Sequence, residues 1–166
     1  MKGYVHLYTG DGKGKTTAAL GLALRAVGSG MRVLIAQFIK GKPYCEDRAL
    51  EKLGRKITIR RYGRGCFIRK KLRPTDVAAA KRGLKECEAA ILSGRYGLVI
   101  LDEAAIAAHL GLFPASELIR LADIKPLHVE LVITGRSAHP ALVKRADLVT
   151  EMKERKHYYR RGVKSR

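Results

Sequence analysis

The chain has 166 residues, 46% of them hydrophobic, and carries 34 Lys and Arg against 15 Asp and Glu for a formal net charge of +19. That length suits a single domain over residues 1–166 with one substantial core and excludes two ordinary domains. No apolar run approaches the roughly 20 residues of a membrane span, and the opening MKGYVHLYTG lacks a signal peptide's apolar stretch, so a cytoplasmic protein is expected. Three cysteines, Cys45, Cys66 and Cys87, are far apart, odd in number and free of any C-x-x-C spacing, which argues for reduced thiols over a zinc site or disulfide framework.

The first apolar run, Tyr4–Tyr8, reads as a strand. It leads through the glycine-rich TGDGKG into a helix, KTTAALGLALRAVG. Arg32–Ile39 and Lys56–Tyr62 read as further strands, then Pro74–Gly94 as a long helix. In that helix Val77, Ala80, Leu84, Cys87 and Ile91 form one buried face, and Thr75 and Gly94 suit its ends. The strands Gly97–Glu103, His128–Thr134 and Asp147–Thr150 follow, interleaved with shorter helical candidates PASELIRLAD and HPALVKRA. Several strands are continuously apolar, as strands buried on both faces should be. The alternation predicts an α/β domain with a mainly parallel sheet covered by helices.

The charge is concentrated. Arg55–Arg73 holds nine basic residues and no acid, and Lys153–Arg166 holds seven basic residues and one acid. Outside these two patches the chain is nearly balanced.

Three strand ends carry candidate chemistry. The turn after the first strand ends in Gly14-Lys15-Thr16 and fits G-x-x-x-x-G-K-[ST] except that Thr9 stands at the first position. Backbone N–H groups of Gly10 to Thr16 can converge on phosphate oxygens, Lys15 can neutralise phosphate charge, and the Thr16 hydroxyl can serve Mg²⁺. GLVILDE ends an apolar strand in Asp102-Glu103, the position of a carboxylate that meets the metal beside a phosphate loop; Asp102 is the first candidate and Glu103 the second. VITGR ends another buried strand at Thr134-Gly135-Arg136, where Arg136 can face the same site, because ligands of open parallel sheets bind beyond the strands' carboxyl ends. His6, His109, His128, His139 and His157 show no metal-ligand spacing and read as structural or surface residues; His157 in KHYYRRG is the one to watch.

With these residues in view, the sequence resembles the P-loop ATP:corrinoid adenosyltransferases of cobalamin biosynthesis. TGDGKGKTTAALGLALRAVG, VLIAQFIKG, EDRALEKLG with Glu46, GCF, LVILDE, HVELVITGR, ADLVTEM and KHYYRRGV appear in the family's order over nearly the whole chain. The resemblance implies a P-loop NTPase, RecA-like, three-layer domain. It also implies a reaction in which a Co(I) corrinoid attacks the 5′ carbon of ATP and inorganic triphosphate leaves, with ATP lying reversed in a loop modified at Thr9. Carried over by position, Thr9, Gly10, Asp11, Gly12, Lys13, Gly14, Lys15, Thr16 and Thr17 become the ATP loop. Lys15 and Arg136 become the catalytic triphosphate contacts, and Thr16, Asp102 and Glu103 the Mg²⁺ set. Phe67 matches an aromatic beside the corrinoid, and Arg69 stands where better-studied bacterial members have tryptophan. A homodimer and a partner that reduces Co(II) are implied as well. The chain starts shortly before its first strand and stops soon after KHYYRRGVKSR, so closure of the site is expected to differ from that of longer members. Because Arg55–Arg73 contains Phe67, its charge is expected to favour corrinoids with free carboxylates.

A nucleic-acid-dependent P-loop ATPase is the alternative, since concentrated positive charge can be a phosphate-backbone footprint. No nucleic-acid module is recognisable, and Tyr62, Phe67, Tyr158 and Tyr159 are few for stacking bases, so nucleic acid is not an expected partner. A small-molecule kinase would release ADP from the same loop, and a regulatory nucleotide-binding module would release no product.

Overall fold

The structure is a computed structural model that describes residues 2–43, 45–63 and 72–163. Within them six strands form one sheet: β1 (Val5–Thr9), β2 (Val33–Gln37), β3 (Ile57–Arg61), β4 (Leu98–Asp102), β5 (Glu130–Thr134) and β6 (Leu148–Glu151). Their order is β3-β2-β4-β5-β1-β6, and every pairing is parallel. The fold is thus an α/β three-layer sheet domain, and the strand at every predicted position is present, most of them trimmed at their ends.

The continuous apolar runs are explained by packing on both faces. All five residues of β2 and of β4 are buried. On one face, Val33, Ile35, Leu98, Ile100 and Val132 meet Ala19, Leu20, Ala23 and Ala26 of helix α1 (Lys15–Gly28), together with Leu50 of α2 (Cys45–Glu51). On the other, Leu34, Ala36, Val99, Leu101, Leu131 and Ile133 meet α3 (Pro74–Leu92), α4 (Ala104–His109), α5 (Ala115–Ile124) and α6 (Pro140–Arg145). Each fully buried Leu or Ile side chain contributes about 1.5–3 kcal/mol of transfer free energy.

Helix α3 buries Ala80, Leu84, Cys87 and Ile91 as its periodicity predicts, with Val77 half-buried at the margin. Its start differs from the expectation at Thr75. Arg73 is the N-cap, Pro74 opens the first turn, and the Asp76 carboxylate accepts the Arg73 N–H at 3.2 Å. Gly94 follows the last turn in the left-handed region at φ 62°, as its position suggests. Helices α2 and α4 were not anticipated. Each has under eight residues, too few for a helical period to stand out against neighbouring loops.

Candidate functional site

Because the strands are parallel, their last residues lie side by side at one edge of the sheet. Gln37 of β2 is in register with Arg61 of β3 on one side and with Asp102 of β4 on the other. On β5, Thr134 is in register with Tyr8 of β1. In-register neighbours project to the same face, here the face covered by α1. The sheet therefore ends in a polar row running Arg61, Gln37, Asp102, Thr134 and Tyr8, directly after the apolar layer of Ile59, Ile35, Ile100 and Val132.

Asp102 is the centre of that row. It is 1% exposed. Thr16, in the first turn of α1, donates its hydroxyl to Asp102 Oδ1 at 2.9 Å, and Thr134 donates to the same oxygen at 2.8 Å. Lys40, in the loop after β2, places Nζ 2.9 Å from Oδ2. The Thr134 hydroxyl also accepts the backbone N–H of Glu103 at 2.9 Å. That bond holds Glu103 in the left-handed conformation, φ 59°, at the start of α4. β5 stands between β1 and β4 in the sheet, so Thr134 fills the step that separates the strand of the phosphate loop from the strand of the carboxylate.

The glycine-rich turn lies above this row. Gly10 and Gly14 have φ of 90° and 123°, values that side chains resist. A Cβ on Gly10 or Gly12 would also collide with the Met152 carbonyl oxygen, at 2.5 and 2.7 Å. The chain after β6 runs against the turn there: the Gly12 N–H donates to Met152 O at 2.6 Å, and the Met152 N–H to Thr9 O at 2.9 Å. Lys13 donates to the Tyr158 hydroxyl and lies over that ring, which itself packs against His157. Thus the KHYYRR segment, read from sequence as a basic patch and as one piece of the family resemblance, is attached to the loop.

Lys15 is 6% exposed and folds back over the turn, donating to the carbonyls of Gly10 and Gly12 at 2.6 and 2.7 Å. Its pKa is lowered, first by burial and then by the Arg136 guanidinium, with Glu103 and Asp11 opposing. Glu103 is shifted upward, first by burial and next by Asp102, while Lys40, Lys15 and Arg136 pull it back. These couplings link Lys15, Arg136, Glu103, Asp102, Lys40 and Asp11 of the turn into one unit, and Thr16 joins it through its hydrogen bond to Asp102. Thr17, Asp11 and Lys13 are exposed on its rim. Phe67 and Arg69 lie outside the described residues.

Two members of the unit were missed from sequence. Lys40 closes on Asp102, 62 positions along the chain, and Thr134 was read only as the end of a strand. Both follow from the register of a parallel sheet, which a single sequence does not display. The basic stretch 55–73 is also less available than its composition suggests. Arg60 pairs with Glu86 at 3.1 Å and Arg61 with the fully buried Asp47 at 2.9 Å. Among the described residues no cluster of His, Cys, Asp or Glu is arranged to hold a metal by itself. His6 pairs with Glu130, and His139 caps α6.

A glycine-rich turn, a buried carboxylate at the first turn of its helix and a Gly-Arg strand end now occupy one edge of an all-parallel sheet. Residues 1–166 match the family described as ATP:corrinoid adenosyltransferase BtuR/CobO/CobP. The chain belongs to this family. Curated relatives agree along nearly the whole length. The corrinoid adenosyltransferase of Pseudomonas aeruginosa is 32% identical, over 99% of this chain and 81% of its own. That of Sinorhizobium sp is 36% identical, over 99% and 78%. Corrinoid adenosyltransferase CobA of Salmonella typhimurium is 34% identical, over 99% and 83%. The chain is accordingly an ATP:corrinoid adenosyltransferase, and no helix among its described residues is long and apolar enough to cross a membrane.

Proposed function

We propose that this adenosyltransferase moves the 5′-deoxyadenosyl group of ATP onto the Co(I) centre of a corrinoid and releases inorganic triphosphate, in the cytoplasm and as a homodimer. The observation that carries the reading is the concentration of Lys15, Lys40 and Arg136 around the phosphate loop, beside two carboxylates. This arrangement suits a polyanion whose charge grows as it departs.

In the proposed reaction the cobalt electron pair forms the bond to C5′ while the C5′–O5′ bond breaks, and that bond's electrons remain on O5′ of the triphosphate. Charge therefore develops on the oxygen that leaves with the phosphates. Lys15 and Arg136 stabilise it more in the transition state than in bound ATP, and the fixed backbone of the turn adds donors that need no reorganisation. To meet the phosphates, Lys15 exchanges the carbonyls of Gly10 and Gly12 for phosphate oxygens. Its lowered pKa reflects burial first and then the neighbouring Arg136 guanidinium. The substrate cobalt is the nucleophile, so the protein's work is to bind, orient and neutralise.

The donor set fits Mg²⁺. The Thr16 hydroxyl and the Asp102 carboxylate are hard oxygen ligands held 2.9 Å apart, with Glu103 next along the chain. Mg²⁺ usually takes one or two carboxylates with waters and substrate phosphates, so a cluster of three or more protein ligands is not required. When bound, the ion would supply positive charge to the phosphate oxygens.

The test is an anaerobic incubation with ATP, Mg²⁺ and chemically reduced corrinoid. A light-sensitive cobalt–carbon chromophore is expected, with one triphosphate released per corrinoid alkylated. ADP and phosphate as products, stimulated by nucleic acid, would replace this reading with that of an ATPase.

A further inference from the structure

The ammonium of Lys40 sits where a divalent cation would be expected to act. Asp102 offers two oxygens. Oδ1 receives the hydroxyls of Thr16 and Thr134, and a hydroxyl can rotate its proton away and present a lone pair. Oδ2 faces Lys40, whose three donors and lack of an acceptor mean that it can only compete with a metal ion for that oxygen. The pair is enclosed, with side-chain exposures of 14% for Lys40 and 1% for Asp102. The carboxylates that act on Lys40 are Asp102, Glu46 and Glu103.

The base of Lys40 is fixed while its tip is long and unbranched. Phe38, 1% exposed, donates its N–H to Asp102 O at 3.1 Å and packs its ring on Tyr62 and Phe113. The Lys40 carbonyl accepts the Gly63 N–H at 3.2 Å. A change of partner by the ammonium therefore requires side-chain rotation alone.

We propose that Lys40 is a built-in counter-cation for Asp102, a positioning residue that keeps a lone divalent cation out of the site and admits one only together with a polyphosphate, to which the ammonium then turns. A bare divalent ion arriving at Oδ2 would meet the Lys40 ammonium in a poorly solvated position and bring it no new acceptor. A polyphosphate changes the balance by bringing several negative charges and oxygens that accept from the displaced lysine. The consequence is joint entry of metal and nucleotide, with Lys40 ending among the phosphates beside Lys15. This inference rests on the assignment of Thr16 and Asp102 to the metal.

Manganese serves as the spin probe. With Mn²⁺ alone, titrated by electron paramagnetic resonance, the wild-type protein binds weakly. Lys40→Met binds roughly tenfold tighter or more, and Lys40→Arg, which keeps the charge, behaves like wild type. The gain disappears in the Lys40→Met/Asp102→Asn double variant. With Mn²⁺ and tripolyphosphate together, Lys40→Met binds severalfold more weakly than wild type. Equal Mn²⁺ affinity in wild type and Lys40→Met, or a gain that survives in the double variant, overturns the proposal. An arm that needs no altered fold follows lysine ammonium resonances in ¹⁵N-lysine-labelled wild-type protein, the Lys40 signal being the one lost in Lys40→Arg. It should stay in place with Mg²⁺ alone and move with Mg²⁺ plus tripolyphosphate; equal movement under both conditions, or none under either, contradicts the switch. No corrinoid or adenosyl donor is present, so failure of the transferase reading would leave these results unchanged.

Discussion

The middle of the central strands and their carboxyl ends are equally shielded from water and opposite in chemistry. Ile35 and Ile100 are 0% exposed; one period further on, Gln37 is 0% and Asp102 1% exposed. The isoleucines are held by contact with α1, and any side chain of similar shape would serve. The polar residues are held by one another: Thr134 bridges Asp102 and the Glu103 N–H, Thr16 and Lys40 complete the carboxylate, and Gln37 Nε2 reaches Asp47 at 3.4 Å. Burial alone thus does not distinguish a structural layer from a reactive one. What distinguishes them is that removing one polar member leaves its partner buried and unsatisfied.

Substitutions can break this contrast from either side. The largest effect is expected for Lys15→Ala, which should lower adenosyl transfer by about 10²–10³-fold while leaving the thermal melt near that of wild type. A normally folded and fully active variant would remove Lys15 from the site. Ile100→Ala, two residues from Asp102, should do the reverse. It costs about 2–5 kcal/mol in denaturant unfolding, with near-normal kcat in the protein that remains folded. Thr134→Val keeps shape but strips a donor from Asp102 and an acceptor from Glu103. It should cost about 1–3 kcal/mol of stability and also slow turnover, a double loss that neither preceding variant shows. Tyr158→Phe keeps the ring over Lys13 and deletes only its acceptor, so ATP affinity should change by an amount worth at most about 1 kcal/mol. In the smallest test, thiol reagent should label exposed Cys45 in the native protein at pH 8. Cys87, buried and with its pKa pushed up to about 12 by burial first of all, should stay unlabelled until unfolding.

The two layers also differ in how far the sequence displays them. Apolar runs announce buried parallel strands, and Gly14-Lys15-Thr16 announces the loop because its residues are contiguous. Asp102 is legible because an acid ends an otherwise apolar strand. Lys40 and Thr134 are not, since their roles depend on which strands are neighbours, and the order β2-β4-β5 is a product of crossovers that no local pattern encodes. The role of KHYYRR beside the loop was hidden for the same reason. It depends on β6 pairing with β1, which carries Met152 to Gly12.

The central claim is that the bond broken lies between C5′ and O5′, and ATP labelled with ¹⁸O at the 5′ bridging position tests it most directly. The account predicts that in a single turnover with Co(I) corrinoid the label leaves entirely in inorganic triphosphate. Label retained on a nucleoside product, with ADP as that product, would show cleavage between phosphorus and oxygen and contradict the proposed use of this loop.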